Sequence, residues 1–508
     1  MRVLTRDQAQ SLDQLSMDVH SIPVETLMRN AGEKIDSHVH SILSDIHSPN
    51  IGIICGKGNN GGDGFAAGHL FHDRGFKITI YALMEKSEVV DESKIFHDKC
   101  MENGVSILYS KTPPRLKPNF DLMIDAILGT GFSGELRDEL LPWTEWLNGS
   151  HITISADIPT GINANTGHVA IGAVRANQTI TMGMGKLGMT LEPGKSHCGK
   201  IHAVDIGFPD IIGDLEGREW SVIGDPDIKS LLLPLDKSTH KYVQGKVLVI
   251  AGSSGMTGAA YLTSMGALRS GAGLVIACAP ESIHAIYEKK ITEGMTVSCA
   301  DNGNGYFALE NFNTIMERVD WCDAIVIGPG LGSNKDTVSL VSKLIQNVTK
   351  PIVIDADGLR PFYGNKSLFY EIKGDFVITP HLGEFSKIIG ESTDNVRNDY
   401  PAAIESFMSN FPGVLMAKYS PSLVAWKSKG CVNSTGNPGL ATAGSGDVLT
   451  GIVGSFIAQG MKVKDAAKTG MVIHGRAGDQ MAKSISQRGM IASDLLTQIG
   501  SVIADYES

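Results

Sequence analysis

The chain has 508 residues, 42% hydrophobic and 19% charged, the balance of a globular protein; at roughly 100 to 200 residues per domain it has room for two to four domains. A net charge of −11 supplies no broad basic field, and counterion release drives most nucleic-acid binding, so DNA, RNA and anionic membranes are excluded as expected partners. Seven cysteines stand singly without a C-x-x-C pair, the pattern of reduced structural thiols, and no signal peptide or run of about 18 apolar residues is present, which makes the cytoplasm the expected compartment.

In chain order, short runs rich in Ile and Val, each followed by a Gly-rich turn and a helical pattern, predict βαβ units and parallel sheets. The first set of strands is expected at 51–55, 77–83, 120–127 and 151–157, with a helix over 65–74. Between about 207 and 237 the periodicity dissolves into Gly, Pro and acidic residues around Phe208-Pro-Asp and Gly224-Asp-Pro-Asp. A second set follows at 246–251, 273–279, 324–328, 351–355 and 375–379. The chain therefore reads as a domain over 1–215, a linker over 216–234 and a second domain over 235–508. No fixed-period repeat or low-complexity segment interrupts it.

The first Gly-rich turn is Gly56-Lys-Gly-Asn-Asn-Gly-Gly-Asp-Gly64, which contains G-x-G-x-x-G. In strand–turn–helix context that spacing is the Rossmann fingerprint, in which glycines let the backbone approach a pyrophosphate. The acidic residue expected about 20 positions later is missing, because the next strand ends Ile80-Tyr-Ala-Leu-Met84. The turn instead carries Asn59, Asn60 and Asp63, oxygen donors suited to a monovalent cation or to ribose hydroxyls. A lone G-x-G-x-x-G can equally be a turn that merely closes a sheet. What argues for a site is the company at later strand ends, where ligands of open α/β sheets bind. Asp125 is followed by the Gly loop 129–134, a source of backbone N–H donors for phosphate. Ser155-Ala-Asp-Ile-Pro-Thr-Gly161 adds a second carboxylate and a hydroxyl.

The second domain contains no G-x-x-x-x-G-K-[ST], so phosphate is not handled by a P-loop. The alternative is Gly436-Asn-Pro-Gly-Leu-Ala-Thr-Ala-Gly-Ser-Gly-Asp447, which leads into a helical run from Val448. Glycines 444 and 446 permit close approach, and a helix start gathers unpaired N–H donors with partial positive charge. Asp447 at that start reads either as a simple N-cap or as a catalytic base beside a phosphate cradle, and the Gly-rich run favours the base.

The Asn-Asn-Gly-Gly-Asp-Gly turn, Asp125 with its Gly-Thr-Gly loop and Asp157-Ile-Pro-Thr-Gly161 closely resemble the NAD(P)H-hydrate epimerase family. The resemblance extends to Leu27-Met-Arg-Asn-Ala-Gly32, where Arg29 replaces the family's usual Glu. It implies a Rossmann-like three-layer domain with a potassium ion held by Asn60, Asp125 and Thr160. It implies contacts to the hydrated dinucleotide from Asn59, Asn60, Gly61, Gly62 and Asp63, from Gly129, Thr130, Gly131, Phe132, Ser133, Gly134 and Glu135, and from Asp157. The reaction inverts the carbon bearing the added hydroxyl, so proton transfer must help hydroxide leave and return; Asp125 and Asp157 are the available acid/base groups.

The second domain resembles the ribokinase-like α/β fold, and within it the NAD(P)H-hydrate dehydratase branch. The motifs are Met256-Thr-Gly-Ala-Ala260, Ser270-Gly-Ala-Gly-Leu274, Gly328-Pro-Gly-Leu-Gly332, Asp355-Ala-Asp-Gly-Leu359, Thr379-Pro-His-Leu-Gly-Glu384 and Ala443-Gly-Ser-Gly-Asp447. This resemblance implies that Ala259, Ala260, Gly330, His381 and Asp447 meet the hydrated dinucleotide, and that Lys418, Tyr419, Ser420, Pro421, Ser422 and Gly446 meet ADP or ATP. It implies Mg2+ with the nucleotide, NADHX and NADPHX as substrates, Asp447 as the base and assembly as a homo-oligomer. Where the family usually reads Lys-Gly, this chain has Lys418-Tyr419, and a different loop is expected because Tyr does not take positive φ as cheaply as Gly. The competing expectation is a small-molecule kinase of the same fold, with an N-terminal domain that binds a dinucleotide without catalysis.

Overall fold

The computed structural model describes residues 1–89, 91–232 and 234–507. The chain forms two compact units, Arg2–Trp220 and, with Met1, Ser221–Ser508.

The first unit runs β1 (Arg2–Leu4), α1 (Arg6–Asp18), α2 (Val24–Ile42), β2 (Asn50–Cys55), α3 (Asn59–Asp73), β3 (Lys77–Ala82), α4 (Asp91–Glu102), β4 (Ser106–Tyr109), β5 (Leu122–Ala126), α5 (Leu141–Asn148), β6 (Thr153–Ala156), β7 (Gln178–Met182), β8 (Gly185–Lys186) and β9 (Lys200–Val204). Seven strands make one parallel sheet in the order β4-β3-β2-β5-β6-β7-β9. Side chains alternate across it: Ile51, Ile53 and Cys55 pack with Phe65, Phe71 and Ile35 from the helices on one face, while Ile54, Tyr81 and Met123 pack with Trp143 and Trp146 of α5 on the other. The result is the expected three-layer arrangement. From β2 the sheet grows outward through β3 and β4, then resumes at β5 on the other side. The C-terminal ends of β2 and β5 therefore flank a topological switch point, where a crevice opens.

The stretch expected to be an irregular linker holds β10 (Glu219–Val222) and α6 (Asp225–Lys229). Gly224-Asp-Pro-Asp is a helix start there: the Gly224 amide donates to Asp227 Oδ2 at 2.9 Å and Pro226 occupies the first turn.

The second unit continues with β11 (Lys246–Ile250), α7 (Thr257–Arg269), β12 (Leu274–Pro280), α8 (His284–Lys290), β13 (Met295–Cys299), α9 (Phe312–Val319), β14 (Ala324–Ile327), α10 (Lys335–Asn347), β15 (Ile352–Ile354), β16 (Phe376–Ile378), α11 (Leu382–Ile389), α12 (Thr393–Asn398), α13 (Tyr400–Met408), β17 (Val414–Ala417), β18 (Leu423–Trp426), β19 (Lys429–Val432), α14 (Ser445–Ala458), α15 (Val463–Ser484) and α16 (Ala492–Glu507). Its strands follow the order β13-β12-β11-β14-β15-β16-β17-β18-β19, parallel as far as β17 and antiparallel through the last two. Helix α14 is buried along nearly its whole length. It lies close against α7, because a Cβ on Gly451 would meet the Thr263 carbonyl at 2.1 Å. That contact fixes the height at which the start of α14 meets the sheet.

All nine expected strands are present. All seven cysteines are buried and free, and among the described residues no helix is long and apolar enough to cross a membrane.

Candidate active sites

The Asn-Asn-Gly-Gly-Asp-Gly segment is the first turn of α3 rather than a loop before it. Its glycines serve packing: a Cβ on Gly61 would strike the Gly56 carbonyl at 1.8 Å, one on Gly62 the Met28 thioether at 2.4–2.6 Å, and one on Gly64 Ala126 and Cys55 at 2.7 Å. The helix N-terminus is thus pressed onto the ends of β2 and β5, beside a cavity of about 870 Å³, within the range of small-molecule sites.

The cavity wall brings together most of the residues the sequence singled out: Asn59, Asn60, Asp63, Gly129, Thr130, Gly131, Phe132, Ser133, Glu135 and Asp157. Gly61, Gly62 and Gly134 do not line it, the first two because they face the packed interior. Asp157 sits just past β6 with φ +62°, a left-handed conformation that few non-glycine residues adopt. Its Oδ1 accepts from Thr181 Oγ1 and the Met182 amide, both at 3.2 Å, and from the buried Lys186 ammonium.

Asp125 does not reach the cavity. It is fully buried, with Oδ2 accepting from Ser155 Oγ and the Thr160 amide at 2.8 Å and Oδ1 from Thr160 Oγ1 at 2.6 Å and the Ile127 amide at 3.3 Å. Burial raises its pKa and these four donors oppose the rise. Of the two acid/base groups expected from the sequence, Asp157 lines the cavity and Asp125 does not, and both Asp125 oxygens are engaged in hydrogen bonds. Beside it, Asn60 Nδ2 donates to the Leu128 carbonyl at 3.1 Å, and Thr160 Oγ1 accepts from the Leu128 amide at 3.0 Å. Asn60 Oδ1 is buried without a hydrogen-bond partner among the described residues. An orphaned amide oxygen, a hydroxyl and a buried carboxylate on one hydrogen-bonded network are the donors a hard monovalent cation takes.

Among the charged groups on this wall that sequence reasoning did not single out are Asp13 of α1 and Lys186 of β8. The available signal for Asp13 was its place between Ala9 and Met17, at i and i+8 of one helix face, an acid on an otherwise apolar stripe.

In the second unit, Asp447 is the third residue of α14; the cap is Gly444, at φ +85°. The N-cap alternative for Asp447 therefore falls. Asp447 is pushed up to about 7, first by burial and then by the Asp355 carboxylate, with Lys418 opposing. Asp355, just past β15, is fully buried; its Oδ1 accepts from Lys418 Nζ and its Oδ2 from Thr450 Oγ1, both at 2.6 Å. Gly446 packs on this pair, since a Cβ there would meet Lys418 Nζ at 3.2 Å. Gly330, at φ +63°, lies against Ala259, whose Cβ is 2.8 Å from where a Gly330 Cβ would stand. Asp357 accepts from the Gly332 amide at 2.9 Å and from Arg360 at 2.6 Å.

His381 caps α11: its Nδ1 accepts from the Gly383 and Glu384 amides at 3.0 and 3.3 Å, and Glu384 accepts from the His381 amide at 2.8 Å. Burial and the nearby Lys418 charge lower its pKa, in keeping with a ring that accepts at Nδ1. His381 also bridges in parallel to Lys418, whose amide donates to the Pro380 carbonyl at 2.8 Å. Tyr419 has no positive φ; its ring packs on Tyr400 with centroids 4.5 Å apart, so a side chain fits where glycine is usual. His474, buried and lowered to about 4, bonds Ser445 at 3.0 Å and is structural.

Two open α/β sheets, the first with a carboxylate-lined cavity at its switch point and the second with Asp355 past β15 beside Asp447 at the start of α14, define a two-site nucleotide-handling enzyme. Residues 247–501 match the NAD(P)H-hydrate dehydratase family and residues 24–188 the YjeF-related protein N-terminus. The chain is 33% identical to the bifunctional NAD(P)H-hydrate repair enzyme Nnr of Moorella thermoacetica, covering 100% of this chain and 97% of that one. It is also 33% identical to the enzyme of that name from Dictyoglomus turgidum, covering 98% and 97%. A ribokinase-like superfamily protein from Enterococcus faecalis superposes with a TM-score of 0.50 at 20% identity, over 57% of this chain and 97% of that one, which establishes the fold of the second unit. The chain belongs to the bifunctional NAD(P)H-hydrate repair enzymes, which pair an epimerase with a dehydratase.

Proposed function

We propose that the first unit interconverts the R and S hydrates of NADH and NADPH at the switch-point cavity, and that the second removes the hydroxyl from the S form with ADP or ATP as phosphoryl donor. The observation that carries this reading is the occurrence, in one chain, of a cavity walled by Asn59, Asn60, Asp63, the Gly129–Glu135 loop and Asp157 together with an aspartate of raised pKa at a glycine-built helix start.

In the first unit Asp157 is the carboxylate that meets the hydrated ring, while Asn60, Asp125 and Thr160 would hold a potassium ion, which would supply fixed positive charge to the site. In the second, Asp447 takes the proton from the ring hydroxyl. Its pKa near 7 suits a base at neutral pH. The amides at the start of α14 and the Lys418 ammonium face the transferring phosphoryl group, where positioning and charge stabilisation dominate. Once phosphorylated, the oxygen leaves as phosphate, and the ring nitrogen's lone pair restores the reduced nicotinamide. Mg2+, bound with the donor nucleotide, would supply positive charge to its phosphates. Ala259, Ala260, Gly330 and His381 contact the dinucleotide; Lys418 to Ser422 and Gly446 contact the donor. The fusion of both units in one chain favours ADP as the donor.

The test is absorbance recovery at the reduced-nicotinamide band after the protein, Mg2+, K+ and either ADP or ATP are added to mixed NADH-hydrate epimers. Full recovery with phosphate release is expected. No recovery from folded protein would favour a small-molecule kinase.

A further inference from the structure

Among the charged side chains that line the first cavity, Asp13 from α1, Asp63 from α3, Asp157 past β6 and Lys186 from β8 act on one another electrostatically, with Lys57, Glu88, Lys111, Glu135, Arg137 and Glu139 elsewhere on the wall. In the first group three carboxylates meet one ammonium, and that ammonium is bound to Asp157. Asp157 is thus committed as the paired anion, and a second group is needed to carry the proton that helps hydroxide leave. Asp13 is placed for that task by the helix that bears it. Thr5 caps α1, its hydroxyl accepting from the Gln8 amide at 3.2 Å while Gln8 Oε1 accepts from the Thr5 amide at 3.1 Å; Ala9, Asp13 and Met17, four residues apart on one face, all line the cavity. Asp13 makes no hydrogen bond that would tie it up among those of the described residues.

We propose that Asp13 is the proton-transferring residue of the epimerisation, a role that rests on the first unit's being an epimerase. As the bond from the ring carbon to oxygen breaks, its electron pair stays on oxygen, the Asp13 proton joins it to give water, and the ring nitrogen's lone pair forms a double bond to the carbon. Asp157 faces the resulting cation. Water then adds to the opposite face and gives its extra proton to solvent, while the Asp13 carboxylate regains a proton from solvent, so nothing is consumed.

Asp13 also has the right acidity. Enclosure by the cavity walls, then the charge of Asp157, raises it to about 6, with Lys186 opposing. A donor is most effective with a pKa near working pH. Asp63 is held well above the usual carboxylate range, first by burial and then by Asp157 and Asp13.

The experiment uses the full-length chain without nucleotide, which silences the dehydratase, and follows conversion of purified R-NADH hydrate to the S form by chromatography from pH 5.5 to 8. In the parent protein kcat/KM should fall as pH rises through about 6, because the protonated acid is lost. Asp13→Asn, of equal size, should lower kcat by about 10²-fold or more, change KM little, and abolish that limb; Asp13→Glu should restore part of the rate. The dehydratase rate on S hydrate should be unchanged in both. An Asp13→Asn rate near the parent's, or retention of the limb, overturns the proposal. If Asp13→Asn does not fold, a parent profile that is flat between pH 5.5 and 7.5 overturns it alone. Absence of any exchange by the parent protein overturns the epimerase reading, and this proposal with it, whereas recovery of the S form with ADP would leave the second unit's assignment standing.

Discussion

Both units bury an aspartate at the carboxyl end of a central strand and set a second carboxylate nearer the substrate, but they neutralise the buried charge differently. Asp125 is surrounded by neutral donors, the hydroxyls of Ser155 and Thr160 and two backbone amides. Asp355 has a tethered cation, Lys418, at 2.6 Å, and one hydroxyl, Thr450. In a low-dielectric interior an ionised carboxylate is costly unless paired. The first site thus relies on neutral donors, where the proposed potassium ion would supply charge, whereas the second carries its cation on the chain. The same difference separates the upper carboxylates: Asp157 has its own ammonium in Lys186, while Asp447 stands near a pair that is already satisfied and is pushed up to about 7.

The largest effect that tests this contrast is loss of the base. Asp447→Asn should lower the dehydratase rate by about 10²–10⁴-fold and leave epimer exchange unchanged, as measured on separated epimers. In the parent, the dehydratase rate should rise with pH through about 7 as Asp447 ionises. Stability runs the opposite way. A carboxyl whose folded pKa lies above its unfolded value binds more protons when folded, so its contribution falls as pH rises from about 4 towards 7. Asp447→Asn should accordingly melt above the parent at pH 8, with the gap closing near pH 4. A base that is destabilising when ionised is the usual signature of a functional group rather than a structural one.

Next is the tethered cation. Lys418→Met strands the buried Asp355 charge and should cost about 3–5 kcal/mol in urea unfolding of the second unit. In the first unit the corresponding change is smaller. Asp125→Asn keeps the shape but sets an amide against amide and hydroxyl donors, a loss of about 1–3 kcal/mol. It should also flatten the dependence of epimer exchange on K+ concentration. An Asp125→Asn protein still stimulated by K+ in the manner of the parent would mean that the cation does not sit with Asn60 and Thr160, and the contrast between free and tethered charge would fall.

The parts of this arrangement legible in the sequence are those encoded locally. Runs such as Ile51-Gly-Ile-Ile-Cys55 and Lys246-Val-Leu-Val-Ile250 mark fully buried parallel strands by composition alone, and their Gly-rich turns place the crevices. The strands Ser106–Tyr109 and Lys200–Val204 stand at the two edges of the first sheet, where half-exposed positions dilute the pattern. Asn59 to Gly64 was read as a loop because glycine disfavours helices; tertiary contact reverses that preference, since no larger residue fits against Gly56, Met28 and Cys55. Lys186 lies 29 residues beyond Asp157 and Asp13 far before it, so only the folded sheet brings the three to one cavity. Asp125 and Asp157 are alike in sequence, each an aspartate at a strand end; only the folded structure shows that one is fully buried and the other lines the cavity.

The smallest effect concerns His381, where capping and ligand contact compete. The ring accepts from two amides at the start of α11, a cap worth about 1 kcal/mol, and it also lies beside Lys418. Asn is a favoured cap with an oxygen at nearly the same reach, so His381→Asn should retain the melting temperature of the parent, whereas His381→Ala should lower it by a few degrees. If the ring also contacts the hydrated dinucleotide, both variants should raise the dehydratase KM severalfold with kcat nearly constant, because a contact made equally in ground and transition states moves KM alone. An unchanged KM in His381→Asn would assign the histidine to the helix and leave the dinucleotide to Ala259, Gly330 and Asp447. The first site offers no such ambiguity, for the start of α3 has no side-chain cap, and its first-turn Asn59 and Asn60 are left to face the cavity.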